Sequence, residues 1–252
     1  MRKAQVTIFV ILGIILAATI IILFAFRESV MEEATKMGIV KGEAISAEAE
    51  KVKLGVTNCL EAGSYDVLYK LGVQGGYIYF DQTPYVRLQD GLNEDGTAYL
   101  YYQGQNNVPS VDKMEADLER EFLQISKDCE NKFKGLEVTY GTIKPHVQIR
   151  ETEVLFNFDW PIEVQKDDTK SRITSLAFDV PIRLGLIRDA ADEIVQTQEE
   201  KICLSCLTFI GFKNDFTIDI DNLEEDETFY MITDANSRIG SLDYGFFMAN
   251  KF

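Results

Sequence analysis

The residues with the clearest chemistry in this sequence are four cysteines, two of which form a CxxC pair. Cys203 and Cys206 are separated by Leu and Ser, whereas Cys59 and Cys129 lie far apart in the chain. In a protein outside the cytoplasm an even number of cysteines favours disulfides, and four cysteines allow three pairings. All four lie on predicted helices, so we expect bridges that join one helix to another. A Cys59–Cys129 bridge is our first choice, because each residue closes the apolar stripe of its own helix.

Two other functions are open to these cysteines. A CxxC pair at the start of a helix can be redox-active, as in thioredoxin-like proteins, because the helix end stabilises a thiolate. The strand and the βαβ pattern expected before such a pair are absent ahead of Cys203. Four cysteines can also bind zinc, but the second CxxC that makes such a site specific is missing. The sequence therefore favours disulfides.

No other group of residues has the spacing of a known catalytic or metal site. His146 is the only histidine, and the sequence identifies no partners for a triad or a two-histidine site. There is no P-loop, GxGxxG or HExxH motif. The acidic run at 219–227 could hold Ca²⁺, but it lacks the glycine and the final glutamate of an EF-hand, so we interpret it as a solvated loop. We expect no enzyme activity, cofactor or metal.

Composition excludes several classes of protein. The chain has 252 residues and a net charge of −16, with 46% hydrophobic and 26% charged residues. These values are typical of a folded protein and not of a disordered one. A nucleic acid requires a concentrated basic face, so the acidity argues against nucleic acid as a partner.

An uncharged apolar run near the N-terminus predicts a membrane anchor. Val6–Phe26 contains 21 residues without a charge. As a helix it would span roughly 31 Å, the thickness of the hydrocarbon core of a bilayer. A cleaved secretory signal would have a shorter apolar region and a small-x-small site, which is absent before Arg27. We therefore expect a retained, single-pass transmembrane helix in contact with membrane lipid.

The charges that flank this helix predict its orientation. Arg2 and Lys3 precede it, and Arg27 and Glu28 follow it. The positive-inside rule then places the N-terminus in the cytoplasm and the C-terminal domain outside. Within the helix, Gly13 and Ala17 lie four residues apart and make one face smooth, so self-association through this face is possible.

The segment Arg2-Lys3-Ala4-Gln5, followed directly by the apolar run, resembles the class III (type IV pilin-like) signal of archaeal surface proteins. The resemblance implies cleavage between Ala4 and Gln5, with the apolar helix retained and able to enter a filament core. Phe9 occupies the position where pilins usually have a glutamate. The rest of the chain is similar to uncharacterised membrane-anchored proteins of small-genome archaea. The similar segments are Cys59-Leu60, Gly75-Gly76-Tyr77-Ile78 and Cys203-Leu-Ser-Cys206.

Three segments follow from the pattern of apolar residues: a leader and transmembrane helix at 1–26, a helical stalk at 27–72, and an ectodomain at 73–252. The stalk has an apolar stripe at helical spacing, which favours packing against its own domain over a coiled coil. Gly38, Gly42 and Gly55 are candidate bends. The stripe consists of Ile45, Ala49, Val52, Val56 and Leu60.

The ectodomain is predicted to be α+β with mostly antiparallel sheet, because its strands come in adjacent runs. Tyr77–Phe80 and Ala98–Tyr102 are predicted to form a hairpin whose tyrosines are half-buried, or alternatively form a recognition surface. A helix capped by Ser110 is expected to have an acidic, solvated face. Alternating residues predict strands at 156–164, 173–182, 216–220, 228–233 and 244–249, and a helical region at 184–212 that is broken near Cys203.

These observations favour a membrane-anchored extracytoplasmic surface protein with a structural or partner-binding role. The alternative is a pilin-like filament subunit whose apolar N-terminal helix lies in the filament core. An extracytoplasmic enzyme is the third and weakest possibility. The sequence does not identify the extracellular partner.

Overall fold

A computed structural model describes residues 46–87, 95–130, 133–197, 202–224 and 226–252. Residues 47–252 form one compact unit, and its described part contains four helices and ten strands. The helices are α1 (Ala47–Val73), α2 (Val111–Asp128), α3 (Leu184–Thr197) and α4 (Leu204–Asn214). The strands are β1 (Tyr85–Val86), β2 (Thr97–Tyr102), β3 (Gln105–Asn106), β4 (Glu137–Tyr140), β5 (Lys144–Ile149), β6 (Val154–Lys166), β7 (Thr169–Val180), β8 (Thr217–Glu224), β9 (Glu227–Ile239) and β10 (Leu242–Lys251).

The strands form two sheets. The larger has the order β1-β2-β10-β9-β8, with β3 also paired to β2. In the smaller sheet β4 and β5 pair with successive parts of β6. Strand β7 pairs with β6 along most of the length of β6. All the pairs are antiparallel except β2 with β10, which is parallel. The predicted α+β class is confirmed, and the mostly antiparallel sheet includes one parallel pair.

Helix α1 lies in the core of this unit. Four residues of its predicted stripe have no exposed surface: Ala49, Val52, Val56 and Leu60. The fifth, Ile45, lies outside the described residues, as do the candidate bends Gly38 and Gly42. Ala47–Val73 of the predicted stalk belongs to the same compact unit as the sheets. The helix continues through Gly55. A side chain at Gly55 would lie 3.0 Å from the ring of Phe133, so the glycine allows close packing there.

The predicted hairpin of Tyr77–Phe80 with Ala98–Tyr102 is wrong, because residues 77–80 form no strand. The chain turns at Gly75 and Gly76, whose positive φ angles suit glycine. After this turn the polar groups of the chain form hydrogen bonds outside the sheets. The Tyr77 hydroxyl donates to the carbonyl of Asn107 at 2.7 Å. Strand β2 instead pairs with β10 and with the short strands β1 and β3.

The remaining tyrosine and strand predictions agree better with the structure. Tyr77 and Tyr99 are buried, which supports the half-buried interpretation over a recognition surface. Strand β6 buries the predicted alternate residues Phe156, Phe158, Trp160, Ile162 and Val164. Pro161 coincides with a register shift between β6 and β7, as expected for a residue without an amide hydrogen.

The acidic face of α2 is not simply solvated, which corrects the sequence-based expectation. Glu115 accepts a hydrogen bond from the amide of Ile149 at 2.8 Å, and Glu119 accepts one from the amide of Val147 at 3.0 Å. These amides lie on β5, whose outer edge pairs with no strand among the described residues. The two carboxylates are one helical turn apart, so they match the alternate outward amides of a strand. The helix thereby closes a sheet edge.

None of the described helices is long and apolar enough to cross a membrane. The predicted anchor at Val6–Phe26 lies outside the described residues. The same holds for the helix-association residues Gly13 and Ala17 and for the cleavage position Ala4–Gln5.

We predict that Glu115→Ala combined with Glu119→Ala lowers the free energy of unfolding by about 2 kcal/mol, because two amides lose charged acceptors. Urea unfolding followed by fluorescence of Trp160, the only tryptophan, reports on the same sheet. Glu115→Gln with Glu119→Gln keeps an acceptor oxygen at each position and should lose less than half as much. Equal losses in the two double variants would contradict the capping role of the side-chain oxygens.

Candidate functional site: the Cys203–Cys206 pair on helix α4

The two disulfides of the described chain have different settings. Cys59 of α1 is bonded to Cys129, the residue after α2, with the Cα atoms 5.7 Å apart. This is the pairing that the sequence favoured. The helices approach closely beside it, since a side chain at Gly63 would lie 2.7 Å from Ile125. The bridge closes a loop of 70 residues, for which chain entropy contributes about 4 kcal/mol to stability.

The second disulfide joins Cys203 to Cys206, three residues apart. It lies within the first turn of α4, so the expectation that the bridges join different helices is wrong for this pair. Its loop is so short that chain entropy contributes only about 2 kcal/mol. Because disulfides occupy all four cysteines, a four-cysteine zinc site is not formed. Within the described ranges no three His, Cys, Asp or Glu residues are placed to hold a metal ion.

The helix end surrounds one of these sulfur atoms with hydrogen-bonding groups. Cys203 is the N-cap of α4, and its Sγ accepts a hydrogen bond from the amide of Cys206 at 3.3 Å. The hydroxyl of Ser205 lies 3.5 Å from the same Sγ. Both cysteines are half-buried, and the two residues between them are exposed. The positive end of the helix dipole therefore faces a sulfur atom that solvent can approach.

In addition to this pair, α4 has large apolar side chains that are exposed to solvent. Leu204 is 65% exposed, Phe209 61% and Phe212 89%. The opposite side of the same helix, with Leu207 and Ile210, is buried in the core. The apolar content of 204–212 does not reveal which side faces solvent, so the sequence analysis did not identify the exposed side chains. Together with the CxxC pair they form what we call the α4 face: Cys203, Leu204, Ser205, Cys206, Phe209 and Phe212.

The C-terminal end of α4 is held in place by a polar network. Asp215, which follows α4 in a left-handed conformation, accepts a hydrogen bond from the side-chain amide of Asn236 at 2.9 Å. Arg183 stacks on the ring of Phe216 at 5.0 Å and forms a two-pronged ion pair with Asp234. Lys213 also pairs with Glu193 of α3 at 3.1 Å. These contacts fix the helix that carries the α4 face.

Asp234 is the centre of this network and is fully buried. Burial alone would raise the pKa of its carboxyl group. Hydrogen bonds from Arg183, Ser237 and the amide of Asn236 outweigh burial, so the pKa lies below its ordinary value. The ion pair correspondingly raises the pKa of Arg183. The sequence gives no sign of this pair, because its members are 51 residues apart in the chain.

The other residues considered in the sequence do not assemble into a site. His146 lies on β5 with an exposed side chain, and its Nε2 is 3.8 Å from Asp159 on the neighbouring strand. In the acidic run, Asp219 and Asp221 are exposed on β8. Glu227 instead forms an ion pair with Lys251 at 2.6 Å. The α4 face is therefore the arrangement with the clearest chemistry in the described chain.

We predict that Asp234→Asn lowers the free energy of unfolding by about 2 kcal/mol at neutral pH, because a buried charged hydrogen bond is lost. A carboxyl group with a lowered pKa stabilises the fold above its unfolded pKa, near 4, and that contribution is lost as the pH falls through the folded pKa. Wild-type stability should therefore fall on acidification below about pH 4 more steeply than that of the variant.

Denaturant unfolding at several pH values measures both effects. Asp243→Asn is the matched control, because Asp243 pairs with Arg238 at 3.2 Å in an exposed ion pair. That change should alter stability by no more than about 0.5 kcal/mol. Parallel pH profiles for the wild type and Asp234→Asn would show that the Asp234 charge does not stabilise the fold.

Comparison of the chain with protein-family models, with curated proteins and with solved structures finds no match.

Proposed function

We propose that this chain is a single-pass membrane-anchored protein whose α+β domain lies outside the cytoplasm and binds a partner through the α4 face. The observation that carries the proposal is the Cys59–Cys129 disulfide between α1 and α2. Thiols in the cytoplasm are kept reduced, whereas disulfides persist in exported proteins. Cys129 is fully buried in the core, so this bridge is part of the fold.

The anchor and its orientation come from the N-terminal sequence. Val6–Phe26 is long enough and apolar enough to span a bilayer as a helix. Arg2 and Lys3 precede it, and this charge bias favours a cytoplasmic N-terminus. The domain with its disulfides would then lie on the oxidising side of the membrane. The export signal and the cysteine chemistry support the same location independently.

A partner-binding role is supported by the α4 face. Leu204 and Phe212 are each more than half exposed, although apolar side chains of this size are usually buried. Exposed apolar side chains that cluster on one element mark interaction surfaces. The network at Asp215 and the Lys213–Glu193 pair hold this helix in place, so the surface is preformed. Binding would then lose little conformational entropy at this surface.

A pilin-like filament subunit is the second candidate, and the leader Arg2-Lys3-Ala4-Gln5 is the observation that favours it. In this case the leader would be cut after Ala4, and Val6–Phe26 would pack against copies of itself. Gly13 and Ala17 would supply the smooth contact face. Phe9 favours the plain anchor, because a pilin usually has a glutamate at that position.

Export is tested by combining topology with disulfide state. In intact cells the Cys59–Cys129 bridge should be present, and added protease should remove an epitope fused to Phe252. Arg2→Glu with Lys3→Glu should impair or invert insertion, so the epitope becomes protected and both cysteines react with alkylating reagents. The control is Lys51→Glu with Lys53→Glu, which makes the same change of charge at two residues that do not flank the apolar run. A protected epitope together with free thiols in the wild type would contradict export.

Anchor and pilin-like subunit are distinguished by the mass of the native chain and by cross-linking in membranes. Loss of residues 1–4 would support the pilin-like route, and their retention would support the plain anchor. If the smooth face at Gly13 and Ala17 packs against a second copy of the helix, Gly13→Ile should reduce cross-linking because isoleucine is bulky. Insertion should be unaffected, because isoleucine is apolar. Ile15→Leu, on the opposite side of the helix, is the control. Equal cross-linking in all three proteins would exclude assembly through Gly13.

A further inference from the structure

The CxxC pair has the accessibility that a reactive disulfide requires. Cys203 and Cys206 are half-buried, and the exposed residues Leu204 and Ser205 lie between them. The other disulfide differs, because Cys129 is fully buried against the core. An external thiol must approach a disulfide sulfur along the S–S axis to exchange with it, so access decides which bridge can react. Cys59 is also half-buried, but attack there would leave the thiolate on the buried Cys129, where burial disfavours the charge. Only the pair on α4 combines two half-buried sulfur atoms among the described cysteines.

The helix end favours the charge that exchange creates. When a substrate thiolate resolves a mixed disulfide between the substrate and this chain, the protein sulfur that departs carries a negative charge. At Cys203 that charge would receive the hydrogen bond that the Cys206 amide already donates to Sγ at 3.3 Å. The Ser205 hydroxyl, 3.5 Å away, can donate a second hydrogen bond. The positive end of the α4 dipole adds to this stabilisation, so Cys203 is the better leaving group.

The surroundings of the pair indicate the type of reductant. Leu204 is adjacent to Cys203, and Phe209 and Phe212 are exposed farther along α4, about 9 Å and 14 Å from Cys203 along the helix axis. A small hydrophilic thiol would leave these side chains in water. A polypeptide with apolar residues beside its cysteine would cover them and hold its thiol against the disulfide. Exported chains that have not yet folded expose both apolar residues and reduced cysteines.

We propose that Cys203–Cys206 is a redox-active disulfide that oxidises pairs of cysteine thiols in an exported polypeptide. A substrate thiolate attacks Sγ of Cys203, the S–S bond breaks, and its electron pair leaves with Sγ of Cys206, which takes up a proton. The second substrate thiolate then attacks the substrate sulfur of the mixed disulfide and releases Cys203 as a thiolate. The substrate loses two electrons and two protons. The CxxC pair gains both electrons and the proton on Cys206, and the second proton is released to solvent or taken up by the Cys203 thiolate.

The inference rests on the proposed export of the domain, since a cytoplasmic location would keep the pair reduced. Return to the disulfide requires a second oxidant of the same chemical class, a disulfide compound that undergoes the exchange in reverse. The chemistry can be tested on the purified full-length chain in detergent, where location has no influence. Failure of this test would leave the export argument from Cys59–Cys129 untouched, and failure of export would leave the exchange measurable.

The first experiment equilibrates the full-length chain in buffers of graded reduced-to-oxidised glutathione ratio and maps each disulfide by alkylation and mass spectrometry. We expect half-reduction of Cys203–Cys206 at a ratio at least about 100-fold lower than that for Cys59–Cys129. The buried bridge in the same molecule is the matched control. Reduction of the two bridges at the same ratio would overturn the proposal.

The second experiment traps the mixed disulfide with a peptide whose single cysteine, flanked by leucine and phenylalanine, is joined to glutathione in a disulfide, so that a protein thiolate can attack the peptide sulfur and release glutathione. Cys206→Ser leaves Cys203 to capture the peptide, and Cys203→Ser leaves Cys206. The first variant should accumulate about 10-fold more adduct, because exchange proceeds through Cys203. Mapping of Cys59–Cys129 in each variant verifies that the fold is retained. Equal trapping by both variants would show unspecific thiol reactivity and overturn the assignment of Cys203.

The substrate class is tested at Phe212 with a reduced peptide that has two cysteines flanked by leucine and phenylalanine. In Phe212→Ser the rate of peptide oxidation, divided by the rate of reduction by glutathione, should fall about 10-fold, because the apolar contact serves only the peptide. Thr208→Ala, at another exposed position of α4, is the control and should leave this ratio within about twofold. An unchanged ratio in Phe212→Ser would exclude recognition of a polypeptide by the apolar side chains.

Discussion

The burial of one side of α1 is the interaction on which the rest of the domain depends. Near its start, Glu48 forms an ion pair at 2.6 Å with Lys166, at the end of β6 in the smaller sheet. Near its end, the carbonyl of Leu68 accepts a hydrogen bond at 2.9 Å from the buried Tyr244 of β10 in the larger sheet. Between them its apolar residues belong to the common core. Neither sheet could bury its inner side fully without this helix.

Patterns that depend on neighbours in the chain were predictable, and contacts between distant segments were not, except for the Cys59–Cys129 pairing. The stripe of α1 and the alternation in β6 follow from the spacing of apolar residues, and both are buried as expected. Tyr77–Phe80 has strand composition, but the turn at Gly75 and Gly76 directs it away from any ladder. The role of Glu119 depends on an amide 28 residues away, which no local pattern contains.

In the candidate site, too, the spacing of residues was predictable from the sequence and their three-dimensional environment was not. The CxxC spacing of Cys203 and Cys206 was visible in the sequence, and so was the alternative of redox activity. The bond between Cys203 and Cys206 follows once Cys59 is paired with Cys129, but our expectation that the bridges join different helices was wrong for this pair. The sequence could not show that Phe212 is exposed, since an apolar helix in a folded domain is usually buried.

The placement of the two disulfides separates stability from reactivity. Cys59–Cys129 constrains 70 residues of chain and fixes α1 against α2, so its loss would loosen the core. Cys203–Cys206 constrains one helical turn, and α4 has other contacts that hold it. Leu207 and Ile210 are buried in the core, and the contacts of Asp215 at the far end do not involve sulfur. These contacts would keep the fold intact during the exchange proposed for the exposed pair.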